Sequence, residues 1–238
     1  MISTKLLAGR HLIVEEKLDG ANSAISFSED GRLLLQSRGH FLDGGPREKH
    51  FGLMKAWATS IQRALWERLR SRYVIYGEWM YAKHTMFYDQ LPHYFFEFDV
   101  LDKEHGDFLS TAARQELLSG LPLISAPVLF SGSIKNARQL RSLISKFNFQ
   151  SLRWRDTLSE LCRDRRLEPE RTLSETDSSG LMEGLYIKVE DAHKVIERFK
   201  FVRNTFLQAV DESGDHWLNR PIIPNQLREG VDIFETTQ

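Results

Sequence analysis

Val14-Glu15-Glu16-Lys17-Leu18-Asp19-Gly20-Ala21-Asn22 sets one lysine between an acidic, extended approach and a turn that contains Gly20. An ammonium group is not a nucleophile, so a lysine that does chemistry needs desolvation or nearby cations to free its amine. Asp-Gly is also ordinary turn chemistry, and the same residues read as a surface lysine beside a β-turn. The rest of the chain decides between the two.

Working outward, 22–28 and 32–37 alternate polar and apolar residues around Glu29-Asp30-Gly31, which predicts an antiparallel hairpin. Ser37-Arg38-Gly39-His40 and a glycine-containing loop follow. Then Phe51, Met54, Trp57, Ile61, Ala64, Leu65 and Leu69 recur at helical spacing, which predicts an amphipathic helix over 47–70 with Pro46 in its first turn. Residues 73–80 read as a buried strand carrying Glu78, and 93–100 as another. Ser110 or Thr111 can cap a helix that stops near Gly120, and Ser133 one that runs to about Phe147. Residues 151–167 predict a helix rich in arginine, and 168–180 a surface loop. Two strands, 181–189 and 194–202, are joined closely enough for a hairpin, and the tail holds Trp217 and the segment Arg220-Pro221-Ile222-Ile223-Pro224-Asn225. Helices interspersed with antiparallel hairpins indicate an α+β fold.

Composition narrows the function classes. With 238 residues, 41% hydrophobic and 27% charged, the chain can bury a substantial core. A formal net charge of -1 argues against a general nucleic-acid coat and leaves room for a local basic surface. Cys162 is the single cysteine, which excludes an intrachain disulfide and a cysteine-based metal site. Without a long apolar run, no membrane association and a cytoplasmic location are the expectation.

Six short motifs then fall in a fixed order: Lys17-Leu18-Asp19-Gly20, Ser37-Arg38-Gly39, Gly77-Glu78, Phe96-Glu97-Phe98-Asp99, Glu183-Gly184-Leu185-Tyr186-Ile187-Lys188 and Arg198-Phe199-Lys200. In that order they resemble the nucleotidyltransferase domain of the ATP-dependent RNA ligase family, within the superfamily of covalent nucleotidyltransferases that includes DNA ligases and mRNA capping enzymes. The resemblance implies a nucleotidyltransferase fold of antiparallel sheets flanked by helices. The domain would span 1–205, with 206–238 as a short tail packed on the same domain and no OB-fold domain.

The resemblance also implies roles. Lys17 attacks the α-phosphorus of ATP and expels pyrophosphate, leaving lysine-AMP. Glu16, Asn22, Arg38, Glu78, Phe98, Lys188, Arg198 and Lys200 join Lys17 in holding the nucleotide. Glu78 takes the ribose and Phe98 stacks on adenine, while Lys188, Arg198 and Lys200 face phosphates. Glu183 holds Mg2+ (or Mn2+), a hard cation that prefers carboxylate oxygen. Arg38 is a bidentate phosphate ligand for the nucleotide or the RNA end.

Each role has a plainer alternative. Tyr94, Phe96 and Phe98 alternate and could simply fill a core, and Arg198 with Lys200 could be an exposed basic strand face. Two departures from the pattern matter. Arg198 stands where the family has lysine, so it keeps charge but cannot act as a neutral amine. Only a short tail follows Lys200, which favours a minimal RNA ligase over a capping guanylyltransferase.

The expected function is joining RNA 5′-phosphate and 3′-hydroxyl ends through lysine-AMP and AMP-RNA, in RNA repair with an end-healing kinase or phosphatase as partner. DNA nick sealing, end adenylation, and a nucleotide-loaded RNA-end-binding subunit are the alternatives. Arg153 and Arg155, in the basic helix, are candidate RNA contacts. Their alternative is a solvated face paired with Asp156, Glu160 and Asp164.

Overall fold

The turn at 29–31 forms as its composition asks. Gly31 takes φ +83°, its amide donates to the Ser28 carbonyl, and the Ser28 amide donates to that of Arg32. In the computed structural model, which describes residues 7, 9–146, 148–212 and 221–235, this hairpin belongs to the larger of two sheets.

In chain order the elements are β1 (Leu12–Lys17), β2 (Ala21–Phe27), β3 (Leu33–Ser37), β4 (His40–Phe41), a 3₁₀ turn (Pro46–Phe51), α1 (Gly52–Ser60) and α2 (Gln62–Leu69). Next come β5 (Tyr73–Trp79), β6 (Phe95–Asp102), β7 (Asp107–Phe108), α3 (Thr111–Leu118), β8 (Ile124–Ser125), β9 (Val128–Gly132) and α4 (Ala137–Arg141). The chain continues through α5 (Trp154–Asp164), α6 (Pro169–Ser174), β10 (Gly184–Glu190), β11 (Val195–Val202) and α7 (Asn204–Glu212).

One sheet has the order β11-β10-β1-β9, and the other β4-β3-β2-β5-β6-β7, with β8 on β6. The pairings are antiparallel except β8 with β6, as an α+β chain of hairpins requires. β1 and β2 are consecutive yet belong to different sheets, so 18–20 crosses the seam between them. Glycine is needed there. A Cβ on Gly20 would sit 2.8 Å from the Trp79 carbonyl oxygen and 2.7 Å from the Met80 sulfur.

The main core lies under the large sheet, where Trp57, Trp79, Phe27, Phe95 and Phe96 are fully buried. A smaller cluster of Phe87, Trp154, Leu158, Cys162 and Ile223 seats α5. No helix among the described residues is long and apolar enough to cross a membrane.

Four local expectations change. The helix over 47–70 is a 3₁₀ turn and two helices that break at Ile61. There the Thr59 and Ser60 hydroxyls donate to the Lys55 and Trp57 carbonyls and compete with the helical ladder. The apolar residues still face the core, since Phe51, Met54, Trp57, Ile61, Leu65 and Leu69 are buried.

Asn136, not Ser133, caps α4, accepting from the Gln139 amide at 3.0 Å, and that helix ends at Arg141; Phe147 lies outside the described residues. Within 168–180, Pro169 starts the short helix α6. α7 runs across 205/206, so the expected boundary falls inside a helix.

Beyond α7, the described residues 221–235 are tied to the rest of the chain. Asn225 is fully buried, accepts from the Tyr88 amide at 3.0 Å and donates to the Met80 carbonyl at 2.7 Å. Trp217 and Arg220 lie outside the described residues.

Candidate nucleotide-binding site

Where the sheets part, a cleft of about 1010 Å³ opens, and Glu16, Lys17, Asn22, Arg38, Glu78, Phe98, Arg198 and Lys200 line it. These eight come from six separate stretches of chain, and the fold brings them together. β1 delivers Lys17 at its end, opposite Gly184 on β10, while Asn22 and Glu78 face each other across β2 and β5. Gly184 must lack a side chain, because a Cβ would lie 2.0 Å from the Phe201 carbonyl oxygen. Along β11, Arg198 and Lys200 reach the cleft while Phe199 and Phe201 pack on the core.

Acid dominates the Lys17 end. Lys17 Nζ lies 2.6 Å from Glu183 Oε1. Burial alone would lower the Lys17 pKa, but Glu183, Glu78 and Asp19 outweigh it and hold the ammonium form above its ordinary value. Burial pushes Glu183 up to about 8 against the opposing charge of Lys17, and it pushes Glu78 up to about 7. Glu16, 2% exposed, is raised by burial to about 7, and neither of its carboxylate oxygens has a hydrogen-bond partner among the described residues.

Asp19 is spent on architecture. Its Oδ2 accepts the Thr85 and Met86 amides at 2.8 and 2.7 Å, which fastens the turn after Lys17 to the segment that Asn225 holds from behind. Glu78 accepts the Gly20 amide at 3.1 Å.

The other end is aromatic. Between β5 and β6 the register shifts, with Tyr76 opposite Asp99 and Gly77 opposite Glu97, so Phe98 is the extra residue of a β-bulge. Phe96 is fully buried, whereas the bulge turns the half-buried Phe98 into the cleft, edge-on to Tyr186 at 5.5 Å between ring centroids. Tyr186 donates to Asp99 Oδ2 at 2.5 Å, and Arg198 Nη1 pairs with the same oxygen at 2.9 Å. The Arg198 guanidinium also lies over the Phe108 ring at 3.6 Å.

Four candidates are elsewhere. Lys188, expected to meet a phosphate, is 1% exposed, and its Nζ lies 2.9 Å from Glu15 Oε2 and 3.2 Å from Asp99 Oδ1. It does not line the cleft, because buried carboxylates on β1 and on β6 of the other sheet claim its charge first. Glu183 meets the site through Lys17 and is not a lining residue.

Arg153 and Arg155 on α5 do not line the cleft either. Arg153 is exposed and 3.7 Å from Asp156, and Arg155 stacks on Trp154 at 4.5 Å. Sequence reasoning assigned no role to His50, Tyr76, Phe108 or Tyr186, which also line the cleft. Tyr76 precedes the Gly77-Glu78 motif and could have been found there, while Phe108 sits in a two-residue strand with no pattern to mark it.

The RNA ligase family model matches residues 10–202. A search among curated proteins returns no match. Among solved structures, a mutant of Naegleria gruberi RNA ligase with ATP and Mn superposes with a TM-score of 0.55 at 17% identity, covering 87% of this chain and 53% of that chain. An apo mutant of the same protein gives a TM-score of 0.54 at 18% identity, and the protein with PPi gives 0.52 at 16%; each covers 87% of this chain and 53% of that one. At such identities the likeness is one of fold, and the chain spans about half the length of the structures it matches. With a family model spanning most of its length and a nucleotidyltransferase-type fold beneath it, the chain belongs to the RNA ligase family.

Proposed function

We propose that the cleft binds ATP and transfers AMP to Lys17 as the first step of joining RNA 5′-phosphate to 3′-hydroxyl ends. The observation that carries this reading is the convergence on Lys17 of Glu78, Phe98, Arg198 and Lys200 at one seam between two sheets. Phe98 offers a ring face for the base, and Glu78, when ionised, an acceptor for a ribose hydroxyl. Arg198 and Lys200 offer positive charge to phosphates, with Arg198 purely electrostatic because it stays protonated.

In the transfer, the Lys17 amine attacks the α-phosphorus. The new N–P bond replaces the P–O bond to pyrophosphate, which leaves with the electron pair. Lys17 must first lose the proton that Glu183 helps it keep, so that contact is the step's resting lock.

A divalent cation fits the Glu183 carboxylate. Its Oε2 is buried with no partner among the described residues, and oxygen donors suit Mg2+ or Mn2+. When bound, such an ion supplies positive charge that neutralises phosphate oxygens. The Naegleria gruberi protein solved with ATP and Mn supports the pairing of nucleotide and metal.

Arg38, at the cleft rim, is the candidate for the RNA 5′-phosphate. A role in RNA repair, alongside an end-healing kinase or phosphatase, follows from the 5′-phosphate and 3′-hydroxyl ends such an enzyme needs.

The test is incubation with α-labelled ATP or GTP and magnesium, then denaturing electrophoresis, followed by sealing assays on RNA, DNA and mixed nicks. The expected result is a covalent label from ATP on Lys17 and sealing of RNA. Label on another residue would overturn the assignment of Lys17. Label without sealing of any strand would favour an end-adenylating or end-binding protein.

A further inference from the structure

Behind the aromatic end of the cleft, Arg114 is a fully buried arginine that belongs to none of the six motifs. It rises from the first turn of α3, which is fastened to β10. There Glu190 Oε2 accepts the Thr111 amide at 2.9 Å and the Thr111 hydroxyl at 3.1 Å. Arg114 Nη2 donates to Glu15 Oε1 at 2.7 Å, and its Nε lies 3.3 Å from Glu97 Oε2. Its Nη1 donates to the backbone carbonyl of Phe98, which also accepts from Lys188 Nζ.

That carbonyl explains the arrangement. Phe98 is the bulged residue of β6, so it has no partner residue on β5. A carbonyl shielded from water and left without a donor is costly, and the bulge survives only where something else satisfies it. Two cations do so, and charge-assisted bonds are stronger than the ladder bond they replace. The planar fork of Arg114 spans Phe98, Glu15 and Glu97 at once, joining β6 to β1, the strand that ends in Lys17.

We infer that Arg114 is a positioning residue for nucleotide binding: by holding the Phe98 carbonyl it keeps the bulge open and the Phe98 ring turned into the cleft, where the base of ATP stacks. The inference rests on the reading of the cleft as an ATP site. Arg114 itself touches no substrate. Without it, β6 can regain regular pairing, and alternation then returns Phe98 to the side of Phe96, away from the base.

The test measures binding of an α,β-methylene ATP analogue, which cannot transfer AMP, and of inorganic tripolyphosphate, which has no base. The proteins are wild type, Arg114→Met, Arg114→Lys, Phe98→Ala and the double variant Arg114→Met with Phe98→Ala. Thermal melting checks each fold.

Arg114→Met is expected to weaken the analogue about tenfold, the scale of one lost base stack, and to leave tripolyphosphate within about twofold. In Phe98→Ala the same Arg114 substitution is expected to add nothing further. Arg114→Lys, which keeps the charge and loses the fork, is expected to fall between. It also carries the test if Arg114→Met does not fold.

An unchanged analogue affinity in a folded variant overturns the inference. So does equal weakening of tripolyphosphate, or an Arg114 effect that adds fully to that of Phe98→Ala. If wild type binds neither probe, the reading of the cleft itself fails; binding by wild type with an unaltered Arg114 variant sinks only the positioning role.

Discussion

The two ends of the cleft bury charge in opposite ways. Behind Phe98, three acids (Glu15, Glu97, Asp99) meet three cations (Arg114, Lys188, Arg198), and the charges cancel. At the Lys17 end, Glu183, Glu78 and Asp19 act on the ammonium and Glu16 lines the same cleft, and Glu16, Glu78 and Glu183 are driven up to about 7 or 8 by burial. A balanced network settles at its own minimum and serves as scaffold. An acidic excess is held at a cost and is relieved when cations arrive, which is how a site reserves free energy for its ligands. The contrast separates Lys188, buried in the balanced network, from Lys17, which lines the cleft amid acidic excess and to which the proposed function assigns the attack, although both are paired to carboxylates.

The sharpest way to break this contrast is to remove each lysine. Lys17→Ala and Lys17→Arg are both expected to lose lysine-AMP formation by at least about 10⁴-fold, since one has no amine and the other stays protonated. Lys17→Ala is still expected to seal RNA that already bears a 5′-adenylate. Radiolabelling with α-labelled ATP and ligation of pre-adenylated RNA check the two halves; equal loss in both would mean that Lys17 is structural.

Lys188→Met is expected to act on the fold, lowering the unfolding free energy by about 3–5 kcal/mol because it leaves Glu15 and Asp99 short of a partner. Glu183→Gln, at the other end, is expected to shift stability by no more than about 1 kcal/mol while depressing adenylation. Urea denaturation beside the adenylation assay reads both. A stability loss of the same size at both ends would erase the distinction.

pH gives a smaller, graded version. The folded pKa of Glu16, about 7, lies above its ordinary 4.5, so the folded state holds that proton more tightly than the unfolded chain does. The resulting stabilisation is complete below about pH 4.5 and is lost as pH rises to 7. Glu16→Gln is therefore expected to flatten the fall in stability between pH 5 and 8 by about 1–3 kcal/mol. Parallel denaturation curves for the two proteins across that range would show Glu16 to be ordinarily solvated.

The smallest effect is expected outside the cleft. Arg153→Ala with Arg155→Ala should leave lysine-AMP formation within about twofold and reduce the salt dependence of RNA binding by up to about two phosphate contacts. An unchanged salt slope in the folded double variant would return both arginines to a solvated helix face, where Asp156 already sits beside Arg153.

Much of this was readable in advance because it is local. Glu29-Asp30-Gly31 makes its turn wherever it stands, and the alternation along Arg198-Phe199-Lys200-Phe201 sends cations and rings to opposite faces whatever lies beyond. The order of six motifs carried the family, since each keeps its own backbone demand: Gly20 passes Trp79, and Gly184 passes Phe201. Helix ends were less legible. At Ile61 and Asn136 the outcome turned on which side chain captured a backbone group, a competition of about 1 kcal/mol.

The amino-acid sequence by itself determined the long strands, the hairpins and the stretches from which eight of the cleft's lining residues come. Only the tertiary structure decided which of those residues are free to act. Lys188 ends a motif on a strand like any candidate cation, but Glu15, 173 residues away in the chain, holds it in the interior. Phe98 was poised between core and cleft until a one-residue register shift against β5 turned it outward. Arg114 carried no motif at all. The physical reason is the same in each case: alternation and turn chemistry act over a few residues, whereas burial of a charge and the fate of a bulged carbonyl depend on partners that only packing brings within hydrogen-bond reach.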